Sequence, residues 1–321
     1  MGRYIIRRLL WVIVLLLIVS AVTFVIFYAL PSGDPAALRA GRSPTPEQLE
    51  QIRHTLGLDK PIYEQYWLFI KSIALHFDFG YSYTNSQEVR TEMLERLPAT
   101  ASLTIGAVVV WLLIGLPVGV ISAVKSRSLV DRFAMGATLL AISAPVYWLG
   151  LMGLFFFSED IGRVANIFPG AGSYVPFSQD PAKWFGSLLL PWLVLAASFA
   201  AFYARLLRSN LIDTMSQDYI RTARAKGQRE RLVVYKHALR NMLVPLLTII
   251  GIFVAIALTG TVLTETVFTR PGLGKMLVDA IGARDYPLAQ GAITVFTMII
   301  IVVNLAVDML YAVVDPRISY R

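Results

Sequence analysis

The sequence predicts an all-α, polytopic membrane protein with six transmembrane helices. Its 321 residues are 56% hydrophobic and only 16% charged, below the roughly 25% charged residues of soluble domains. A membrane-spanning helix needs about 20 mostly apolar residues. Because the bilayer core offers no water to satisfy exposed backbone groups, each apolar stretch is expected to be helical. Six stretches qualify: 9–30, 101–124, 133–157, 186–206, 243–264 and 291–313.

The distribution of basic residues predicts the orientation of these spans. If the N-terminus lies inside, the inner segments hold 17 of the 29 lysines and arginines, although the outer segments are longer. Cytoplasmic segments of membrane proteins carry such an excess, so both termini are expected in the cytoplasm. The net charge of +8 then reflects topology, and no nucleic-acid partner is expected. The first apolar stretch is too long for the core of a cleaved signal peptide, and we expect it to remain as a span.

We expect the chain to divide after residue 98. Residues 1–98 would form the first span and a long outer segment, in which 63–77 and 86–97 are predicted helices. Residues 99–321 would form a five-helix core with a cytoplasmic loop at about 205–245. The outer segment is too short to bury much core by itself, so it is expected to pack against the outer ends of the spans.

The inner loop at 205–245 is the most informative polar segment. It carries nine lysines and arginines but only three acids. Asp218 is expected to cap a short helix that runs through Ala225, with Gly227 just beyond its C-terminal end. Small side chains keep this helix slim, so a partner could approach its backbone closely. From the residues alone, docking of a soluble partner and anchoring on acidic lipid headgroups are equally well supported.

Motifs for catalysis or metal binding are lacking in the sequence. No Gly-x-x-x-x-Gly-Lys-Ser/Thr loop is present to bind the phosphates of ATP, and the chain has no cysteine. The histidines His54, His76 and His237 form no recognisable ligand pair. No span combines serine with histidine, as a hydrolase would require. We therefore expect no enzymatic activity, no metal site and no cofactor in this chain.

One acid, Asp308, lies inside an apolar stretch, and Asn304 shares its helical face one turn earlier. Charged residues inside a membrane are costly and often functional. Because Asp308 lies within two turns of the cytoplasmic end, we expect it to fix an inner gate or helix packing. Its expected partners are Arg205, Arg208 or Arg240. A proton relay is the alternative.

A set of runs along the whole chain carries the most specific sequence signal. In the inner loop these runs are Arg205-Leu-Leu-Arg208, Asp218-Tyr219-Ile220-Arg221-Thr222-Ala223-Arg224-Ala225-Lys226-Gly227, His237-Ala-Leu-Arg240-Asn241 and Pro245. Elsewhere they are Gly33-Asp34-Pro35, Asp78-Phe79-Gly80-Tyr81-Ser82, Thr264-Glu265-Thr266-Val267-Phe268, Pro271-Gly272-Leu273-Gly274 and Asn304-Leu-Ala-Val-Asp308. Together they resemble the inner-membrane permease subunits of ATP-binding-cassette (ABC) importers for dipeptides, oligopeptides and nickel. The two N-terminal runs resemble the first of the two permease subunits in that branch.

The resemblance implies a type I ABC importer permease fold in a bacterial or archaeal inner membrane. In this family a helix of the inner loop sits in a cleft of the ATPase. That assigns the ATPase contact to Asp218, Tyr219, Ile220, Arg221, Thr222, Ala223, Arg224, Ala225, Lys226 and Gly227, with Arg205, Arg208, His237, Arg240 and Asn241 in support. The implied partners are a homologous second permease, two ATP-binding subunits that carry ATP and Mg, and an extracytoplasmic substrate-binding protein.

The implied function is one half of a pathway for di- or oligopeptides, opened alternately to the two sides of the membrane by the partner ATPases. The alternatives are a permease of the same family for nickel or another solute, an ion-driven secondary transporter, and a membrane scaffold without transport. A secondary transporter would need several polar residues near the membrane midplane, and only Asp308 is a candidate. The sequence does not indicate which residues bind the substrate.

Overall fold

The computed structural model describes residues 2–29, 34–40, 44–55 and 57–314. The described ranges contain helices and no β-strand, which confirms the predicted all-α class. The α-helices are α1 (Gly2–Phe24), α2 (Pro35–Ala40), α3 (Pro46–Thr55), α4 (Ile62–His76), α5 (Val89–Val124), α6 (Leu129–Ser143), α7 (Val146–Phe157), α8 (Pro181–Met215), α9 (Asp218–Ala225), α10 (Glu230–Leu232), α11 (Leu243–Val267), α12 (Leu273–Ala283) and α13 (Tyr286–Val314). Two π-helical segments, Val25–Ala29 and Val233–Leu239, follow α1 and α10.

Five described helices, α1, α5, α8, α11 and α13, are long and apolar enough to cross a membrane. The count is six if α6 and α7 are taken as one bent span. The predicted single span at 133–157 is therefore broken, with an angle of 103° between its two helices. Pro145 explains the break, because it lacks an N–H group and disfavours helical backbone at the residue before it. Ala144 is accordingly extended, with a ψ of 125°.

Helix α5 is longer than predicted. The expected helix at 86–97 continues into the span and gives one helix of 36 residues. Pro98 lies inside it and removes one main-chain hydrogen bond, but the side chains of Val89, Met93 and Leu103 on either side are buried. Their burial offsets that loss and keeps the helix continuous. The predicted boundary after residue 98 falls within α5, and the division into two domains stays a prediction.

The chain forms two compact units. Unit 1 comprises Met1–Thr100 and Pro271–Val302, and unit 2 comprises Ala101–Arg270 and Val303–Arg321. Unit 2 contains the whole inner loop and most of the five-helix core that the sequence predicts. The segment from Pro271 to Val302, which the sequence analysis assigned to that core, belongs to unit 1.

Unit 1 is held together by polar contacts between distant parts of the chain. The hydroxyls of Tyr66 on α4 and Ser20 on α1 lie 3.0 Å apart, so the outer segment packs against the first span. Asp285 is buried and accepts hydrogen bonds from the Ser82 hydroxyl and from two backbone N–H groups, of which that of Thr84 is 3.1 Å away. The Asp285 carboxylate thereby fastens the loop before α5 to the start of α13.

Unit 2 is built around α8, which packs against α6, α7 and α11. Helix α5 approaches α8 closely because Gly119 has no side chain, and a Cβ there would lie 2.8 Å from the carbonyl oxygen of Ala204. Trp192 on α8 is buried, and its indole N–H donates a 3.0 Å hydrogen bond to the carbonyl oxygen of Ser102 on α5. The α5–α8 pair therefore forms a rigid centre on which the inner loop is mounted.

Candidate functional site

The predicted short helix of the inner loop is present as α9, Asp218–Ala225. Its N-terminus is one residue earlier than predicted. Gln217, in extended backbone, is the N-cap residue and makes no side-chain capping bond, so the prediction that Asp218 caps the helix is wrong. Asp218 is instead the first helical residue, where its negative charge is favourable at the positive end of the helix dipole. Its carbonyl oxygen accepts a 2.9 Å hydrogen bond from the Thr222 hydroxyl.

The C-terminus of α9 is closed as predicted. Gly227 has a φ of +73°, a left-handed conformation that glycine adopts without steric cost. The Gly227 N–H donates to the carbonyl oxygen of Arg224 (2.9 Å), and the Gln228 N–H donates to that of Ala223 (3.4 Å). This pair of bonds is a Schellman motif. It satisfies carbonyls that would otherwise lack partners and turns the chain sharply away from the helix.

One face of α9 is built into the protein. Ile220 is fully buried and Ala223 is 6% exposed, and both belong to a cluster that we call the inner core cluster. Its members come from α5, α8, α9, the second π-helical segment and the residues around the start of α11: Val120, Ala123, Tyr203, Leu207, Leu211, Ile220, Ala223, Val233, Val234, Ala238, Met242 and Leu246. An eight-residue helix is marginal in water by itself. The burial of Ile220 and Ala223 in this cluster stabilises α9 and sets its orientation.

The opposite face of α9, which we call the outer face, is exposed. It consists of Asp218, Tyr219, Arg221, Thr222, Ala225 and Lys226. The side chain of Asp218 is 96% exposed and that of Arg221 is 73% exposed, although their charged groups approach to 3.4 Å. The outer face is therefore mostly polar, carries both small and long side chains, and is accessible to another protein.

Arg224 at the edge of α9 ties the helix to α10. Its guanidinium donates two hydrogen bonds to the Glu230 carboxylate, at 2.7 and 3.1 Å. These bonds lower the pKa of Glu230 below its usual value and raise that of Arg224. The bidentate geometry holds the loop between the two helices in one conformation.

The residues predicted to support the loop are found in three different settings. His237 lies in the second π-helical segment, where its Nε2 is 2.7 Å from the side-chain oxygen of Gln228, so it braces the turn that follows α9. Arg205, Arg240 and Asn241 have exposed side chains. Arg208 is half-buried, and its guanidinium makes two hydrogen bonds to one carboxylate.

Arg208 pairs with Asp131, a residue that the sequence analysis did not select. The guanidinium donates from Nε and from one terminal nitrogen to the two carboxylate oxygens, at 2.6 and 2.7 Å. Asp131 lies in the first turn of α6 and also accepts a 2.8 Å bond from the Arg127 N–H, while the Ser128 hydroxyl caps the helix. The Ser-x-x-Asp spacing at 128–131 is typical of a capping box and was the available signal, but it does not identify Arg208 as the partner.

The predicted gate residues are only partly described by the structure. Asn304 has an exposed side chain on α13, and the side chain of Asp308 lies outside the described residues. The expectation that Asp308 pairs with Arg205, Arg208 or Arg240 therefore stays a prediction, except that the described partner of Arg208 is Asp131. Among the described residues, no group of three or more histidine, aspartate or glutamate side chains could hold a metal ion.

The fold and the loop define a polytopic, α-helical membrane protein that presents a short anchored helix outside its spans. Comparison with protein families places it more narrowly. The family "Binding-protein-dependent transport system inner membrane component" matches residues 115–320, and its N-terminal domain family matches residues 1–104. The chain belongs to this family of importer membrane components. It is thus the permease subunit of an ABC importer, as the sequence resemblance predicted.

Individual relatives agree with this assignment. The chain is 41% identical over 320 residues to a putative peptide transport system permease protein of Brucella abortus (strain 2308), with 100% of both chains covered. It is 39% identical over 321 residues to the glutathione transport system permease protein GsiC of Escherichia coli (strain K12), again over 100% of both chains. A subunit of the inward-facing methionine ABC transporter MetNI has the same fold, with a TM-score of 0.57, 17% identity, and coverage of 70% of this chain and 97% of that one.

Proposed function

We propose that this subunit forms half of a transmembrane pathway for di- and oligopeptides and that ATP-driven motion enters it through the outer face of α9. A homologous second permease would form the other half, two ATP-binding subunits would carry ATP and Mg, and an extracytoplasmic binding protein would deliver the substrate. Both termini and the inner loop would then lie in the cytoplasm. In this arrangement the chain itself hydrolyses nothing and needs no cofactor.

The observation that carries the proposal is the two-sided environment of α9. Ile220 and Ala223 are packed into the inner core cluster, whereas Asp218, Arg221 and Ala225 on the other face are exposed. Because the cluster includes side chains of α5, α8 and α11, a displacement of α9 has to be transmitted to three membrane helices. Closely packed interiors transmit such displacements with little loss. A helix with one face packed against the spans and the other face exposed has the properties needed to couple a soluble motor to the spans.

Alternating access follows from the different affinities of two membrane conformations for the ATP-bound motor. A ligand shifts a conformational equilibrium only as far as it prefers one state. Binding of ATP closes the two ATPases on each other, and the conformation in which α9 fits the closed pair becomes the favoured one. Hydrolysis removes that preference and returns the pathway to its other orientation.

The substrate class is proposed from the relatives. Two proteins that match over their full lengths are named as permeases for peptides and for glutathione, and glutathione is itself a tripeptide. Peptides share a backbone but vary in their side chains. A pathway for them therefore has to bind the common backbone weakly and leave selection to the delivering protein.

The transport proposal is tested with the complete complex in proteoliposomes. Uptake of radiolabelled di- to pentapeptides is measured, and nickel is tested in parallel. ATP is supplied on the side of the membrane that carries the ATPases, and the binding protein is supplied on the opposite side. Peptide accumulation that requires both ATP and the binding protein is the expected result. Uptake of nickel but not of peptides would show that the substrate is nickel. Uptake that persists on an ion gradient without ATP would indicate a secondary transporter. The absence of any flux would indicate a scaffold.

The docking of α9 is tested by cross-linking, which the absence of native cysteine makes straightforward. Ala225→Cys places a thiol on the outer face, and Ala223→Cys places the same thiol on the buried face two residues away. A short thiol-to-amine cross-linker should join the first variant to an ATP-binding subunit and leave the second unlinked. Equal cross-linking of both variants, or of neither in an assembled complex, would contradict the assignment.

A further inference from the structure

A cavity of about 420 Å³ lies beside the C-terminal end of α5, and it is not part of the outer face of α9. Its lining combines apolar side chains of α5 with two basic residues, Lys125 and Arg231, and with Tyr235 of the second π-helical segment. The volume falls within the range of about 300–1,000 Å³ that is usual for small-molecule sites.

The apolar wall of the cavity continues an exposed apolar surface of α5. Ile121 and Val124 line the cavity and are 47% and 46% exposed. Ile114, two turns before Ile121 on the same side of the helix, is 41% exposed. An acyl chain lying along this surface would therefore enter the cavity without crossing a polar barrier.

The polar rim of the cavity lies at the level where this span ends. Lys125 directly follows the last residue of α5, and its backbone N–H still bonds to the carbonyl oxygen of Ile121 at 2.9 Å. Tyr235 is 64% exposed, and tyrosine favours the interface between membrane and water. The rim thus lies at the depth of lipid headgroups.

The charge of the rim is positive. Lys125 and Arg231 have exposed side chains and, among the described residues, no carboxylate within ion-pair distance. Glu230 also lines the cavity, but both of its carboxylate oxygens are engaged by Arg224. Two unpaired cations above an apolar wall at headgroup depth match one phosphate diester attached to acyl chains.

We propose that this cavity, lined by Lys125, Arg231, Tyr235, Ile121 and Val124, binds one anionic glycerophospholipid. The phosphate diester lies between the two basic side chains, and an acyl chain lies along α5. Val234 and Val120, which close the floor of the cavity, belong to the inner core cluster that holds α9. The bound lipid therefore supports the same core that anchors the coupling helix. This inference goes beyond the proposed transport role and does not depend on the substrate.

The site is tested by native mass spectrometry of the purified full complex. Phosphatidylglycerol and phosphatidylcholine with identical acyl chains are titrated, and the lipid retained on this subunit is measured. The double variant Lys125→Gln/Arg231→Gln should bind phosphatidylglycerol about thirtyfold more weakly, or about fivefold for each lost charge. The double variant Arg229→Gln/Lys236→Gln removes two exposed charges of the same loop that do not line the cavity, and it should bind as the parent does.

Three results would overturn the proposal. The first is an equal loss of phosphatidylglycerol in both double variants, which would mean diffuse attraction to the basic loop. The second is displacement of the lipid by inorganic phosphate or by glycerophosphoglycerol at comparable concentrations, which would mean a site for a free anion. The third is lipid that binds the isolated subunit but is absent from the assembled complex, which would assign the cavity to an ATP-binding subunit.

Discussion

Breaking the ion pair between Arg208 and Asp131 is expected to weaken the packing of α8 against α6 measurably. The informative changes are Arg208→Gln and Asp131→Asn, made singly and together. Asp131→Asn keeps the shape of the side chain and removes its charge, whereas Arg208→Gln removes the charge and leaves a shorter side chain that still ends in a hydrogen-bonding amide. The double variant then reports how much of each single effect belongs to the pair itself.

The magnitude follows from the burial of the two groups. Exposed ion pairs contribute about 0–1 kcal/mol, whereas removing one partner of a fully buried pair costs about 3–5 kcal/mol. Asp131 is 4% exposed and Arg208 is 25% exposed, with two hydrogen bonds of 2.6 and 2.7 Å. The pair lies between the two limits, so we expect an interaction free energy of about 2 kcal/mol.

The single variants should differ in a defined order. Arg208→Gln leaves a shielded carboxylate that retains only the Arg127 N–H as a strong donor, and we expect a loss of about 3 kcal/mol in the free energy of unfolding. Asp131→Asn leaves a guanidinium that is 25% exposed and can turn outward, and we expect a loss of about 2 kcal/mol. The double variant should lose about 3 kcal/mol, well short of the sum of the single losses.

The assay is reversible unfolding in mixed micelles, with helicity followed as the fraction of denaturing detergent is raised. All four proteins are measured under the same conditions, and the interaction free energy is the deviation from additivity. A value below about 0.5 kcal/mol would refute the reasoning, because it would mean that the pair behaves as an exposed one.

Three further predictions concern other parts of the chain. The pair of Glu230 with Arg224 should stabilise α9 by less than about 1 kcal/mol, because both groups are exposed. This stabilisation should be complete above pH 4.5 and should be lost as the pH falls through the lowered pKa of Glu230. Amide hydrogen exchange of α9 at a series of pH values measures the loss. Gly106→Ala should cost about 3 kcal/mol and lower the melting temperature, since the new methyl group would overlap the buried indole of Trp192. Asp285→Ala should cost about 2–4 kcal/mol, because its buried donors lose their acceptor.

Matched variants separate these effects from general damage. Glu230→Gln should abolish the acid-dependent change in exchange, and an unchanged pH profile would contradict the assignment to this carboxylate. Gly136→Ala in α6 adds a methyl group in open space and should be neutral or slightly stabilising. Asp279→Ala removes an acid that is 56% exposed and should cost less than about 1 kcal/mol; a loss equal to that of Asp285→Ala would show that burial does not set the magnitude.

The sequence predicted the features that depend on neighbouring residues. The apolar stretches gave the spans because partition of a helix into a bilayer depends on its own composition. The end of α9 at Gly227 was predictable because the left-handed backbone is a local requirement. Its start was predicted one residue too late, because the N-cap residue is Gln217, which has extended backbone and makes no side-chain capping bond that its residue type would announce. The continuity of the predicted helix at 86–97 with the span that follows it was missed because burial on both sides of Pro98 outweighs the local effect of proline.

By itself, then, the sequence determined a helical membrane protein, the family to which it belongs and the position of the short helix α9 in the inner loop. Only the tertiary structure decided which face of that helix is free, since Ile220 and Ala223 are buried by residues from three other helices. Only the tertiary structure joined Arg208 to Asp131, which are 77 positions apart in the chain. Periodicity and turn chemistry act over a few residues, whereas a contact between distant helices depends on how those helices rotate and cross, which local patterns leave open.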